Sequence, residues 1–188
     1  TLLIDWLRER EAAKQALLLT TSDLPLEVRV ERPDMVGLDR LADAVAANRV
    51  RDPERPAVVI DVGSATTIDA VSADGAFLGG AILPGFELSA RALHHFTDML
   101  PYIGPEELLP VPDPLGTSTI DAMRSGLFWG AIGAARELVD RLHGDGSGPP
   151  EIILTGGGYE SMLPFLSEAG HAIPHLTVAG IALAAAER

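Results

Sequence analysis

The sequence predicts an α/β fold, and three observations predict it. Two runs of apolar residues with strand character, "AVVIDV" from Ala57 and "EIILT" from Glu151, each end in a glycine turn. Segments with apolar residues at helical spacing lie before, between and after them. A third run, "TTIDAVSADGAFLGGAILPG", divides at an Asp-Gly pair, the signature of a hairpin. At 188 residues and 47% hydrophobic, the chain is long enough for one substantial core.

In chain order, "LLIDWLREREAAKQ" carries Leu3, Trp6 and Leu7 on one side and charges on the other, which predicts a helix. "ALLLT" reads as a strand ended by Ser-Asp-Leu-Pro, and "LEVRV" alternates as a half-buried strand does. "LDRLADAVAANRV" has helical spacing at Leu38, Leu41, Val45 and Val50, and the charged "RDPERP" delivers the chain into the strand at Ala57. The hairpin turns at Asp74 and Gly75. Helical signals follow in "FELSARALHHFTDML", then a proline-rich loop from Pro101 to Pro114, then the long "STIDAMRSGLFWGAIGAARELVDRLHG", whose small residues permit close packing. After the linker-like "DGSGPP" come the strand "EIILT", the turn "GGG", the helix "YESMLPFLSEAG" and a small-residue helix, "LTVAGIALAAAER".

The bulk charge narrows the partners. A formal net charge of −13 argues against a nucleic-acid or anionic-membrane surface, because a phosphate backbone would be repelled. Cysteine is absent, which removes disulfides, thiolate metal sites and cysteine nucleophiles and fits a reducing, cytoplasmic setting. Every apolar run is broken before the roughly 20 residues that a membrane helix needs, and no signal-peptide pattern stands at the start. His94 and His95 are adjacent on a helical stretch and so diverge, and His143, His171 and His175 have no partner at ligand spacing. Ser125 lacks a nucleophile-elbow setting.

Two constellations carry chemistry. In "VVIDVGSATT", Gly63 lets the backbone approach an anion, while Ser64, Thr66 and Thr67 offer hydroxyls beside N–H groups. Asp61 would repel a phosphate there unless a cation stands between them; otherwise the stretch is an ordinary polar turn whose aspartate satisfies backbone donors. In "GLDR", Asp39 beside Arg40 could serve as general base toward a hydroxyl while the arginine holds an anion, or Asp39 could be a first-turn acid favoured by the helix dipole. "VVIDVGSATT" and "IILTGGG" both end a strand in a glycine turn, and two such turns face to face would form a phosphate cleft.

Taken in order, "VGLDR", "DVGSATTIDAV", "FLGGAILPG", "LP", "GTST" followed by "SG", "ILTGG" and "PHLTVAGIALA" resemble the type III pantothenate kinases, members of the acetate and sugar kinase/Hsp70/actin superfamily. The resemblance covers roughly residues 36 to 185. It implies an actin-like ATPase (ribonuclease H-like) fold of two similar subdomains, each a mixed sheet flanked by helices. Residues 1–56 would be the remainder of the N-terminal subdomain and 57–188 the C-terminal one. It implies ATP-dependent phosphorylation of pantothenate to 4′-phosphopantothenate, the first step of coenzyme A synthesis, by a homodimer using ATP with Mg2+ and a monovalent cation, potassium or ammonium.

The residue roles carried over are expectations of the same kind. Asp39 matches the catalytic base, with Gly37, Leu38 and Arg40 completing the substrate-binding segment; Thr119 in "GTST" matches a pantothenate-binding threonine. Asp61 matches the cation ligand, Ser64 an ATP contact that is usually threonine, and Thr155 to Gly157, with Gly156 and Gly157, the nucleotide-side turn. Thr66 and Thr67 join that nucleotide group. Two departures stand out. The family's Asp-x-Gly-Asn-Thr phosphate motif is missing, and the chain opens without methionine in a helical stretch, so an incomplete N-terminal part is expected. Val30 stands where the family usually has a substrate-binding tyrosine. They keep open a non-catalytic ligand-binding or regulatory protein of this fold, and a related kinase for another small hydroxy acid.

Overall fold

The computed structural model describes residue 6 and residues 17–142, 148–166 and 170–187. Most of the N-terminal helix expected from "LLIDWLREREAAKQ" lies outside them. The elements are α1 (Leu38–Val50), β1 (Ala57–Val62), β2 (Ala65–Val71), β3 (Phe77–Pro84), α2 (Phe86–His95), α3 (Thr119–Leu142), β4 (Glu151–Thr155), α4 (Tyr159–Leu166), β5 (Gly170–Ala172) and α5 (Leu176–Ala186), with short 3-10 turns at Thr21–Asp23, Pro33–Met35 and Pro105–Leu108.

The five strands form one mixed sheet in the order β3-β2-β1-β4-β5. β2 runs antiparallel to β1 and β3, whereas β1, β4 and β5 run parallel, so β2 alone is reversed. This is the ribonuclease H-like arrangement. Successive residues of β1 point to opposite faces, and both faces are covered. On one, Val59, Val71, Phe77 and Ile153 pack with Leu41 and Val45 of α1 and with Leu176 and Ala184 of α5. On the other, Val58, Ile60, Ile68 and Leu154 pack with Phe128 and Ile132 of α3 and Met162 of α4.

Helices α1 and α5 approach closely because Gly180 has no side chain: an ideal Cβ there would lie 1.9 Å from the Ala42 carbonyl oxygen. The hairpin turn is tied to the end of α1, where the Asn48 amide donates to the Gly75 carbonyl at 2.7 Å and Arg51 Nη2 to that of Ala73 at 2.9 Å. Gly75 itself takes φ +92°, a region that favours glycine. The proline-rich loop is held by three donors of α3: Arg124 Nη2 to Pro110, Trp129 Nε1 to Pro112 and Ser125 Oγ to Pro114, at 3.0, 2.9 and 2.6 Å.

Four expectations are corrected. Residues 17–20 of "ALLLT" form no strand. "LEVRV" makes only one parallel bridge, Val28 to Phe77; the register slips between Ala70 and Val71, and Gly79 at φ +102° turns β3 away from further pairing. The helix from Phe86 ends at His95, where Thr97 Oγ1 bonds back to the Leu93 carbonyl and Pro101 is near. Gly170 begins β5 instead of ending a helix, and its bare α-carbon sits where a Cβ would be 3.0 Å from the Ile152 carbonyl oxygen. Among the described residues no helix is long and apolar enough to cross a membrane.

Candidate active site

The chemistry-bearing residues gather beyond the carboxyl ends of the parallel strands β1 and β4, where ligands bind in open α/β sheets. Alternation along β1 and β2 decides which face each side chain takes. Asp61 pairs with Thr67 across β1 and β2 and with Thr155 across β1 and β4, and Val59 pairs with Asp69. Asp61, Thr67, Asp69 and Thr155 therefore share the face covered by α1 and α5.

Helix α1 presents "GLDR" to that face. Gly37 precedes the first turn, and a Cβ there would lie 2.4 Å from Asp39 Oδ1, so any other residue would turn the carboxylate away from its present position over the helix start. Asp39 Oδ1 accepts the Arg40 N–H at 2.9 Å, which fulfils the first-turn role and leaves Oδ2 for a hydroxyl. Asp39 and Leu38 are exposed; Arg40 turns inward. Its Nε donates to both oxygens of Asp69, at 3.1 and 3.0 Å, and Nη2 donates to Oδ1. The guanidinium also lies 5.5 Å from the ring centre of Phe77.

Asp43, one turn beyond Asp39, is buried and accepts the Thr177 hydroxyl at 2.7 Å. Burial, with further push from the charges of Asp61, Asp39 and Asp69, raises its carboxyl to about 7. Burial also raises Asp61, and the charges of Asp39 and Asp69 add to it. Arg40 is held above its ordinary range by its hydrogen bonds to Asp69. Asp39, Asp61 and Asp69 thus all push Asp43 upward, and of these only Asp39 and Asp69 interact with the Arg40 guanidinium.

The second glycine turn closes onto Asp61. Gly156 takes φ +91°, and a Cβ there would lie 2.2 Å from Asp61 Oδ1 and 2.6 Å from Val62 N and O. Gly158 N donates to the Val62 carbonyl at 3.0 Å, while the Cβ position of Gly157 meets nothing within 4 Å. Among the described residues no group of three or more His, Asp or Glu side chains could hold a metal ion. Asp61, beside this turn, is the carboxylate that could hold a cation.

The remaining expected residues are distributed as follows. Ser64 is exposed at the β1–β2 turn, where its carbonyl accepts Gly85 N at 3.0 Å, and Gly63 N is spent on the Ala65 carbonyl at 3.1 Å. Thr155 Oγ1 accepts Leu176 N at 3.3 Å, starting α5. Thr66 faces the opposite side of the sheet from Thr67 and lines a cavity of about 210 Å³ with Phe86 and Gly126. Thr119 is exposed at the start of α3, which Ser118 caps by accepting Asp121 N at 3.1 Å. It lines an adjoining cavity of about 840 Å³ that shares Pro84, Ser89, Gly126 and Leu127 with the first. The structure brings Gly37, Leu38, Asp39, Arg40, Asp61, Thr67, Gly156 and Gly157 to one side and sets Thr66 and Thr119 on the other. Sequence reasoning missed Asp43 and Asp69, although an aspartate within the apolar run "TTIDAV" was a signal for the second.

Comparison with known proteins agrees with this architecture. A family model described as type III pantothenate kinase matches residues 4–141. A type III pantothenate kinase of Legionella pneumophila (strain Corby) is 40% identical over 161 residues, 85% of this chain and 61% of the relative. One from Ruegeria sp. (strain TM1040) is 42% identical over 134 residues, 71% of this chain and 50% of the relative. The chain thus spans about half to three fifths of the length of these relatives. The crystal structure of a Baf family transcriptional activator from Campylobacter jejuni has a TM-score of 0.65 at 23% identity, covering 96% of this chain and 77% of that one, which shows a shared fold.

Proposed function

The chain belongs to the type III pantothenate kinase family, and from that premise we propose that it serves the ATP-dependent phosphorylation of pantothenate to 4′-phosphopantothenate, the first step of coenzyme A biosynthesis. The observation that carries the reading is the convergence of Asp39, Arg40 and Asp61 on one face at the carboxyl ends of β1 and β4. Asp39 Oδ2 takes the proton of the pantothenate hydroxyl as its oxygen attacks the terminal phosphorus of ATP, and the bond to ADP breaks in line. Arg40 holds an anionic group of the acceptor, with Gly37 and Leu38 shaping the segment; Thr119, across the sheet in this chain, is not brought to that segment.

Asp61 holds the monovalent cation, potassium or ammonium, which together with Mg2+ offsets phosphate charge when bound. Ser64, Thr67, Gly156 and Gly157 form the nucleotide side, and Thr66, which faces the other side of the sheet, is not part of it. The same reading includes a homodimer, a cytoplasmic setting, and a division into residues 1–56 and 57–188 as parts of two actin-like subdomains. Val30 favours a second reading, a related kinase for another small hydroxy acid. It packs against the apolar core, with Cγ1 3.5 Å from the Cβ position of Gly79, and brings no hydroxyl to the substrate.

A coupled ADP-release assay with ATP, Mg2+ and potassium, with and without pantothenate, tests this. Pantothenate-dependent release that falls when potassium is withdrawn supports the kinase and the role of Asp61. Release that requires a different hydroxy acid supports the second reading, and no release from folded protein refutes both.

A further inference from the structure

We infer that Asp69 is a positioning residue: it fixes the Arg40 guanidinium so that Nη1 is the nitrogen offered to an anionic group of the acceptor beside Asp39. The inference rests on the phosphotransfer reading for the identity of that acceptor and on this structure for the rest. Asp69 has a side chain 3% exposed and Arg40 one 14% exposed, so the carboxylate is shielded from water while the guanidinium keeps one open edge. Three hydrogen bonds run from Nε and Nη2 to the two carboxylate oxygens, the fork-to-fork geometry that fixes a guanidinium plane. Among the described residues Nη1 has no hydrogen-bond partner.

The surroundings hold Asp69 in turn. Thr67 stands two positions before it on the same face of β2, and its hydroxyl favours the charged form of the Asp69 carboxyl. Across the ladder, Asp69 pairs with Gly80, where a Cβ would lie 2.4 Å from Asp69 Oδ1 and 2.1 Å from the Ile68 carbonyl oxygen. The second glycine of "FLGGAILPG" therefore leaves the space that the carboxylate occupies. Phe77, fully buried, supports the guanidinium from below. The pair thus joins the acceptor-binding segment of α1 to two strands of the sheet, and Asp69 touches neither acceptor nor nucleotide.

The test is calorimetric titration of pantothenate, and of its uncharged alcohol analogue pantothenol, into the wild-type protein, Asp69→Asn, Arg40→Lys and the double variant. Asparagine keeps the shape but turns an N–H toward the guanidinium, so the fork is lost. Pantothenate binding should weaken about tenfold or more in Asp69→Asn, as expected for a misplaced recognition group, while pantothenol binding stays unchanged. The double variant should be no worse than Arg40→Lys. Equal or tighter pantothenate binding to Asp69→Asn overturns the inference, since Asp69 would then only compete with the ligand for Arg40. An equal loss for pantothenol, or additive losses in the double variant, overturns it as well.

If Asp69→Asn does not fold, Phe77→Leu removes the supporting ring and should weaken pantothenate alone by about two- to fivefold; no change, or an equal loss for pantothenol, refutes the arrangement. Wild-type protein that binds pantothenate but does not turn it over refutes the kinase and leaves this inference standing. Wild-type protein that binds no pantothenate overturns the inference.

Discussion

Replacing Asp43 by asparagine should stabilise the protein, and more so as the pH rises. In the folded chain the carboxyl is raised from 3.8 to about 7, chiefly by burial. Between those values the folded state binds more protons than the unfolded one, so stability is fully present below about pH 4 and is lost as pH rises through about 7. With these two pKa values, ionisation costs the fold about 1.5 kcal/mol at pH 5 and about 4 kcal/mol at pH 8, a difference of about 2 to 3 kcal/mol. Asparagine carries no charge and still accepts the Thr177 hydroxyl through its carbonyl oxygen. For a chain of this size a kilocalorie moves Tm by about 2–4 °C. Thermal unfolding followed by circular dichroism should therefore show a gain in Tm about 5–10 °C larger at pH 8 than at pH 5. A gain that is equal at the two pH values, or larger at pH 5, would refute the claim that Asp43 is held protonated by its burial.

Asp39→Asn should abolish pantothenate-dependent ADP release and leave Tm within about 1 °C, because the side chain is exposed; near-normal turnover would remove Asp39 from the role of base. Asp61→Asn should remove the potassium dependence of the rate, and a retained dependence would place the cation elsewhere. Gly180→Ala should destabilise the fold by about 1–3 kcal/mol, measured by urea denaturation, since its Cβ meets the backbone of Ala42; an unchanged midpoint would mean that α1 and α5 can separate freely.

Where period and burial coincide, the sequence was legible. Helix α1 spans Leu38–Val50 as its spacing indicates, and the hairpin turns at Asp74 and Gly75 between β2 and β3. Strand β5 was hidden because three residues are too few to show alternation. "LEVRV" has the alternation of a strand but finds only one partner residue, since the bulge in β3 withdraws the rest. Asp39, Arg40 and Asp61 could be singled out from charge placed at the ends of apolar runs. Their mutual placement could not, because local pattern says which residues share a face and not what covers it. Thr66 and Thr67 illustrate the loss: neighbours in the motif, they serve opposite sides of the sheet. Asp69 was within reach, two positions from Thr67 on the same face, and only the folded pairing shows that Arg40 meets it.

The bond between Thr177 and Asp43 joins residues 134 apart. Helix α1 leaves the ribosome well before the helix that covers it, which is made more than a hundred residues later. Until α5 arrives, the buried side of α1 is open to water and to chaperones, and the carboxyl of Asp43 is free to ionise. Docking of α5 is a long-range closure of the kind that slows folding. The cover of the face bearing Asp39 is thus made after the five described strands, and a chain stalled before residue 176 would hold those strands and still lack the cover of its reactive side.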